Sequence, residues 1–201
     1  MIRTGTHLEW RSGRGPVSIS LMKRFAIAVA ALLVLSSVVV VAEEKAADFT
    51  FEDINPASPT HGQKITLSEQ YSEEGVLVNF LASWCTPCWR ELPILQAMAD
   101  AGDVKVLGMA ADEYGAGPEG VLILAERKGL TLPILWVDVE QAVELEKRYA
   151  YQILPSIYLI RPDGTIASMI EGAASPERIH EEIARAFHSS DTAAPQQPAA
   201  D

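Results

Sequence analysis

A C-x-x-C pair lies between a short apolar run and a segment with helical periodicity, and this arrangement constrains the fold more than any other feature. The run GVLVNFLAS (75–83) is uncharged and mostly apolar, as expected of a central strand. Cys85 and Cys88 follow, and apolar residues then recur at helical spacing until Gly102, a residue typical of a helix end. The sequence therefore predicts a buried strand that leads into a helix at the cysteine pair.

Strand-like and helical patterns alternate along the chain from residue 47 onward. Alternating units predict a sheet with a parallel core, and the turn sequence RPDG (161–164) predicts an antiparallel hairpin at its edge. We therefore expect an α/β fold with a central mixed sheet and helices on both faces. Strands are predicted at 48–54, 75–83, 104–111, 132–138, 153–160 and 165–172, with a short one near 64, and helices at 85–102, 118–128, 141–150 and 175–188.

An uncharged apolar stretch, residues 25–42, follows the basic pair Lys23 and Arg24. A basic segment before an apolar one is typical of an export signal, and small residues suit a cleavage point after Ala42. The stretch is also just long enough to span a bilayer. Residues 22–42 are therefore predicted to be a signal peptide or an uncleaved inner-membrane anchor, and the rest of the chain is predicted to be exported to the periplasm in both cases.

The two ends of the chain show no pattern of folded structure. Met22 begins an ordinary signal sequence, so residues 1–21 are predicted to be a disordered leader or the product of a translation start placed too early. A cytoplasmic extension is the alternative. Residues 189–201 contain no large apolar side chain and are predicted to be disordered. The folded domain is expected to span residues 46–188.

The charge of the exported part disfavours nucleic acid as a partner. The first 42 residues hold five basic residues and one acidic residue, so the remainder has 11 basic and 26 acidic residues and a net charge of −15. Binding to phosphates requires clustered lysine and arginine. The acidic surface is interpreted as a solvated surface that favours solubility, and it identifies no partner.

Cys85 and Cys88 are the only cysteines of the chain, and several uses of such a pair are disfavoured. A structural zinc ion needs four ligands, and none of the four histidines lies near Cys85 in the sequence. Haem attachment needs a histidine directly after the second cysteine, where Trp89 stands. A disulfide across so short a loop adds little stability by chain entropy. The pair is therefore interpreted as chemically active, in a compartment where disulfides persist.

The start of a helix gives the two thiols different environments. Cys85 is predicted to lie at the helix N-terminus, where unpaired N–H groups and the helix dipole stabilise an anion and lower the pKa of a thiol. It is the predicted nucleophile. Cys88 lies one turn further and is expected to be more buried, so it keeps a higher pKa and resolves the mixed disulfide. Pro87 removes an N–H that the first turn does not use.

The motifs around the pair resemble the thioredoxin superfamily, and within it the TlpA/ResA-like exported thiol–disulfide oxidoreductases. The resemblance covers residues 46–188. It rests on DFTFED near the start, VLVNFLASWCTPCWRELP across the pair, LPSIYLIRPDG at a late strand and the N-terminal signal or anchor. It implies a thioredoxin-like fold and a redox-active disulfide between Cys85 and Cys88.

The resemblance also implies roles for residues beyond the cysteines. Pro155 matches the family's cis-proline, whose loop packs beside the disulfide. The backbone N–H and C=O of Leu154, directly before it, would pair with an extended segment of the substrate. Trp84 would shield one side of Cys85, with ordinary core packing as the alternative.

A further implied role concerns Glu91. Thioredoxins proper carry a buried aspartate where this chain has Asn79, which cannot accept a proton. ResA-like proteins instead place a glutamate three residues after the second cysteine, the position of Glu91. Residues i and i+3 share a helix face, so Glu91 is predicted to lie near Cys88, to have a pKa raised by burial and to accept the proton of that thiol. The alternative is a surface carboxylate stabilised by the helix dipole.

Two residues depart from the family pattern. Trp89 replaces the basic residue that is common after the pair, and Leu81 stands where tryptophan or tyrosine is usual. Both are predicted to lie near the active-site surface, so the family's substrate preference does not transfer directly to this chain.

The resemblance implies an enzyme, a protein-disulfide reductase that acts by dithiol exchange through Cys85 and Cys88. Its expected substrates are disulfide-containing exported proteins, including apocytochrome c before haem attachment. Its expected electron donor is a membrane thiol reductant. No cofactor and no metal ion are expected.

The alternative function is a thioredoxin-like copper-handling module that uses the two cysteines as soft ligands. Relatives of that kind usually add a histidine or methionine as a third ligand. Met98, Met109 and Met169 are the candidates, and each is interpreted as a core residue. A peroxidase of the peroxiredoxin type would use a lone attacking cysteine and is the least favoured function.

Overall fold

The structure is a computed structural model that describes residues 44–111 and 115–187. The segments 1–21, 22–42 and 189–201, for which a leader, an export signal or anchor, and a disordered tail are predicted, lie outside the described residues. Within residues 44–111 and 115–187, every helix is too short or too polar to cross a membrane.

Five strands form the main sheet, in the spatial order β5–β4–β3–β6–β7, and β1 and β2 form a separate antiparallel pair. The strands are β1 (Thr50–Glu52), β2 (Lys64–Thr66), β3 (Val76–Leu81), β4 (Lys105–Ala111), β5 (Ile134–Val137), β6 (Ser156–Ile160) and β7 (Ile166–Glu171). The helices are α1 (Thr86–Ala101), α2 (Gly117–Lys128), α3 (Val139–Tyr149) and α4 (Pro176–Phe187), with a 3₁₀ turn at Leu67–Gln70.

The pairing of the strands confirms the predicted mixed sheet. β3, β4 and β5 run parallel, β6 runs antiparallel to β3, and β7 forms the predicted antiparallel hairpin with β6. The helix after the cysteines also ends where the sequence predicts. Gly102 adopts the left-handed conformation (φ 79°) and its N–H donates to the carbonyl of Ala99, which is a common way to end a helix.

Helices cover both faces of the sheet, as predicted. One apolar cluster contains the buried residues of α1, α2 and α4, and the opposite cluster contains those of α3 together with residues of the β1–β2 pair. The central strand β3 is fully buried and contributes to both clusters. Leu77 and Leu81 pack on the side of α1, and Val76, Val78 and Phe80 pack on the side of α3.

The strand register brings two distant segments of the chain to one edge of the sheet. Phe80 near the end of β3 pairs with Ser156 at the start of β6, because these strands are antiparallel. The residues that follow β3 therefore lie beside the residues that precede β6. The first group includes Cys85, and the second includes Leu154 and Pro155.

A buried aspartate fixes the β1–β2 connection to the main sheet. One carboxylate oxygen of Asp53 accepts hydrogen bonds from the backbone N–H groups of Asn55 (3.0 Å) and Ile134 (3.0 Å). The other accepts from the hydroxyl of Thr60 (2.7 Å). This side chain therefore helps to hold the connection against β5.

We expect Asp53→Ala to lower the free energy of unfolding by about 3 kcal/mol, because it leaves buried donors without their acceptor. Urea denaturation of the oxidised protein measures this change. Glu52→Ala, at the exposed neighbouring position, is the control and should stay within about 0.5 kcal/mol of wild type. An Asp53→Ala variant as stable as this control would contradict the assignment.

Candidate active site

The two cysteines form a disulfide at the start of α1. Their Cα atoms lie 5.4 Å apart. Cys85 is the N-cap residue of the helix, and the backbone N–H of Cys88 donates to the Cys85 sulfur at 3.3 Å. Pro87 lies in the first turn, as predicted. The sulfur of Cys85 is therefore held where the helix begins.

This position favours negative charge on Cys85 when the disulfide is reduced. The unpaired N–H groups of the first turn and the helix dipole both stabilise an anion at the N-cap. Cys88 has no exposed surface, whereas Cys85 is 3% exposed. The relative burial of the two cysteines thus matches the predicted attacking and resolving roles, which themselves stay predictions.

The peptide bond between Leu154 and Pro155 is cis, as the family resemblance implies. The carbonyl of Pro155 accepts the N–H of Gly172 at 2.8 Å, and the hydroxyl of Ser156 donates to the carbonyl of Ile153 at 2.6 Å. Among the described residues, no hydrogen bond involves the backbone of Leu154. Its N–H and C=O are therefore available for the predicted pairing with substrate.

Two large apolar side chains at this edge of the sheet are exposed. Trp84 precedes Cys85 and is 53% exposed, so the alternative of core packing is wrong for it. Ile153 is also 53% exposed, and sequence reasoning misses it because the apolar pattern places it in a strand that starts only at Ser156. The signal that could have found it is its position two residues before Pro155.

Three expectations from the sequence are wrong. Trp89 and Leu81 lie in the core rather than at the active-site surface, and the indole N–H of Trp89 donates to the carbonyl of Ala82 at 2.8 Å. Trp89 thus stabilises the turn between β3 and α1 through a buried hydrogen bond. Met169, interpreted as a core residue, is 43% exposed on β7, whereas Met98 and Met109 are buried as expected.

Glu91 is buried in α1 and is not the surface carboxylate of the alternative interpretation. Only 3% of the residue is exposed. One carboxylate oxygen accepts the backbone N–H of Ala174 at 3.1 Å, from the loop between β7 and α4. Burial raises the pKa of Glu91 to about 7, and the hydrogen bond from Ala174 opposes that rise. A carboxyl group with this pKa can both take up and release a proton near neutral pH.

Asn79 lies in the middle of β3 with no exposed surface. Its position alternates with Leu77 and Leu81, so its side chain is on the face covered by α1. Among the described residues, Glu91 thus supplies a buried carboxyl group on α1, and Asn79 supplies a neutral amide on the face of β3 that α1 covers.

Side chains that could bind a metal ion are scattered over the structure. Within residues 44–111 and 115–187, no three histidine, cysteine, aspartate or glutamate side chains cluster as a metal site would require. His180 on α4 is exposed, and its ring nitrogen Nδ1 lies 2.8 Å from the carbonyl oxygen of Pro176.

The raised pKa of Glu91 predicts a loss of stability as the pH rises. Between the ordinary value of 4.5 and about 7, the folded protein binds more protons than the unfolded chain. The free energy of unfolding should therefore fall across this range, by about 3 kcal/mol in total. Glu91→Gln should lack this fall, because its side chain stays neutral. Urea denaturation of the oxidised protein at pH 5 and pH 8 measures the difference.

The matched control is Glu126→Gln, which replaces an exposed glutamate on α2. Its stability should depend on pH as that of the wild type does. Parallel pH profiles for wild type and Glu91→Gln would show that Glu91 has no raised pKa.

Comparisons with known proteins show the family of this chain. The sequence profile of the AhpC/TSA family matches residues 42–169. The chain is 28% identical over 138 residues to the thiol–disulfide oxidoreductase ResA of Geobacillus thermodenitrificans, an alignment that covers 69% of this chain and 74% of that protein.

Two solved structures show the same fold. StoA from Bacillus subtilis matches with a TM-score of 0.54 and 25% identity, over 68% of this chain and 96% of that one. The exposed lipoprotein thioredoxin Etrx1 from Streptococcus pneumoniae matches with a TM-score of 0.54 and 25% identity, over 68% and 98%. The expected thioredoxin-like fold is thereby confirmed. This chain belongs to the AhpC/TSA family, with the thioredoxin-like fold and the paired cysteines of a thiol–disulfide oxidoreductase.

Proposed function

We propose that this protein is an exported protein-disulfide reductase that acts by dithiol exchange through Cys85 and Cys88. The observation that carries the proposal is the disulfide at the N-terminus of α1, with the buried carboxyl group of Glu91 one turn further along the same helix. The helix start provides a stabilised thiolate, and the carboxyl group provides a place for the second proton.

The reaction begins with the thiolate of Cys85 on the reduced enzyme. Its sulfur attacks one sulfur of the substrate disulfide, and a new bond forms between Cys85 and the substrate. The other substrate sulfur leaves as a thiolate and takes a proton from water. The helix dipole and the N–H of Cys88 lower the energy of the Cys85 thiolate before attack.

The second step closes the enzyme disulfide. The thiol of Cys88 gives its proton to the carboxylate of Glu91, and the resulting thiolate attacks the sulfur of Cys85. The bond between Cys85 and the substrate breaks, and the second substrate sulfur leaves. Two electrons have then passed from the enzyme to the substrate. The pKa of Glu91, raised to about 7 by burial, suits a base that must act near neutral pH.

The cis-proline loop supplies a docking surface for the substrate in this scheme. The N–H and C=O of Leu154, which have no hydrogen-bond partner among the described residues, can bind an extended chain as an added strand. The exposed side chains of Trp84 and Ile153 lie at the same edge of the sheet and add apolar contact. A peptide bound there would present its sulfur beside Cys85.

The N-terminal segment and the relatives support the proposed substrates and location. The basic pair and apolar stretch of residues 22–42 support export, either with cleavage or with an inner-membrane anchor. We take disulfide-containing exported proteins as substrates, with apocytochrome c as the specific candidate. A membrane thiol reductant would return electrons to the disulfide between Cys85 and Cys88.

Substitutions of the two cysteines are predicted to block the reaction at different steps. Pre-reduced wild type should reduce a C-x-x-C-H peptide disulfide of the apocytochrome c type. Cys85→Ser should show only the background rate, because the nucleophile is missing. Cys88→Ala should accumulate a mixed disulfide between Cys85 and the peptide, because the resolving thiol is missing. Peptide thiol release and mass spectrometry of the protein measure both results.

A Met98→Leu variant is the matched control, because it keeps a buried apolar side chain on α1 and both thiols. Reduction of the peptide by Cys85→Ser at the wild-type rate would refute the proposed function.

A further inference from the structure

Three buried polar atoms near the active site have no hydrogen-bond partner among the described residues. They are both polar atoms of the Asn79 amide and the second carboxylate oxygen, Oε2, of Glu91. Buried polar groups in folded proteins are usually paired with protein or with internal water. Glu91 takes part in the proposed reaction as a base, whereas Asn79 has no role in its two steps.

The surroundings of Asn79 explain why none of the described residues pairs with its amide. In the sheet it pairs with Gly108 on β4 and with Ile157 on β6, and neither residue has a polar side chain. Along its own strand, Leu77 and Leu81 flank it on the same face. The amide therefore lies within an apolar layer of the core.

Glu91 is on the buried face of α1, the helix that covers this side of β3. Its neighbours on the buried face of α1, Cys88, Leu92 and Leu95, belong to the apolar cluster that contains Leu77 and Leu81. The Oε1 atom accepts the N–H of Ala174, and the Oε2 atom has no partner among the described residues. Burial raises the pKa of Glu91, and the hydrogen bond from Ala174 opposes that rise.

We propose that one internal water joins the amide of Asn79 to the Oε2 atom of Glu91, and that Asn79 is a positioning residue for the proton that leaves Cys88. The inference rests on the proposed function, since it assigns the path of that proton. A water of this kind needs two to four polar partners, and the amide together with the carboxyl group supplies them.

The amide suits both protonation states of the carboxyl group. When Glu91 is ionised, the water donates to Oε2 and accepts from the Asn79 NH₂ group. When Glu91 is protonated, its O–H can donate to the water, which then donates to the Asn79 carbonyl oxygen. Asn79 thus supports the proton transfer and stays neutral. An aspartate at this position would add a second charge to the core.

Infrared titration of the oxidised full-length protein tests the water bridge without using activity. The carboxyl C=O band of protonated Glu91 is identified by its loss in Glu91→Gln. In Asn79→Leu, which replaces the amide by an apolar group of similar size, this band should shift. The titration midpoint should rise by about one pH unit, because the carboxylate loses a hydrogen bond.

Asn79→Ser is the rescue variant, because its hydroxyl can donate to and accept from a water, and it should restore a wild-type band and midpoint. If Asn79→Leu does not fold, Asn79→Ala replaces it in the same comparison. A band and a midpoint unchanged from wild type in the apolar variant would overturn the inference. The proposed function would survive that result, because it depends on Cys85→Ser losing peptide reduction.

Discussion

The turn from β3 into α1 holds the reactive sulfur, and the rest of the site depends on how firmly that turn is packed. β3 has no exposed residue and pairs on both sides, with β4 and with β6. The indole of Trp89 closes the turn by donating to the carbonyl of Ala82. The N-terminus of α1 is therefore directed at Cys85 by the core of the sheet, and the electrostatic effect of the helix start is available at a fixed position.

The surroundings of the two reacting groups have opposite effects on negative charge. At Cys85 the first helical turn offers N–H groups that stabilise charge, whereas at Glu91 the apolar surroundings raise the pKa of the carboxyl group to about 7. A proton that leaves Cys88 can thus be held nearby while charge gathers at the sulfur. The hydrogen bond from Ala174 limits the rise of the pKa and connects the carboxyl group to the loop that follows β7.

The sequence is a good guide to whatever depends on local pattern. The strand and helix order, the mixed sheet, the end of α1 at Gly102 and the place of the cysteine pair all follow from periodicity, turn residues and spacing. Contacts between distant segments are harder to predict. The burial of Glu91 involves a loop 83 residues further along the chain, and only a family resemblance suggests it.

The wrong predictions also concern tertiary packing, which the local sequence pattern does not determine. The family pattern predicts Trp89 at the surface because it replaces a basic residue, but its position on α1 faces the core and its indole N–H finds a carbonyl partner there. The apolar pattern places Ile153 in β6, although the strand begins only at Ser156 and this side chain is 53% exposed. Propensity indicates the kind of element that a segment forms, whereas tertiary packing decides which side chains remain outside.

The direction of electron flow is the central claim, and the reduction potential of the Cys85–Cys88 pair tests it most directly. Reduction potentials of such pairs run from about −270 mV for reducing thioredoxin to about −120 mV for a strongly oxidising relative. Equilibration of the purified protein with glutathione buffers of known ratio, followed by trapping of the thiols, measures this potential. The account predicts a value below about −180 mV, so that the protein reduces its substrates. A value well above about −180 mV would make the protein an oxidant and contradict the account.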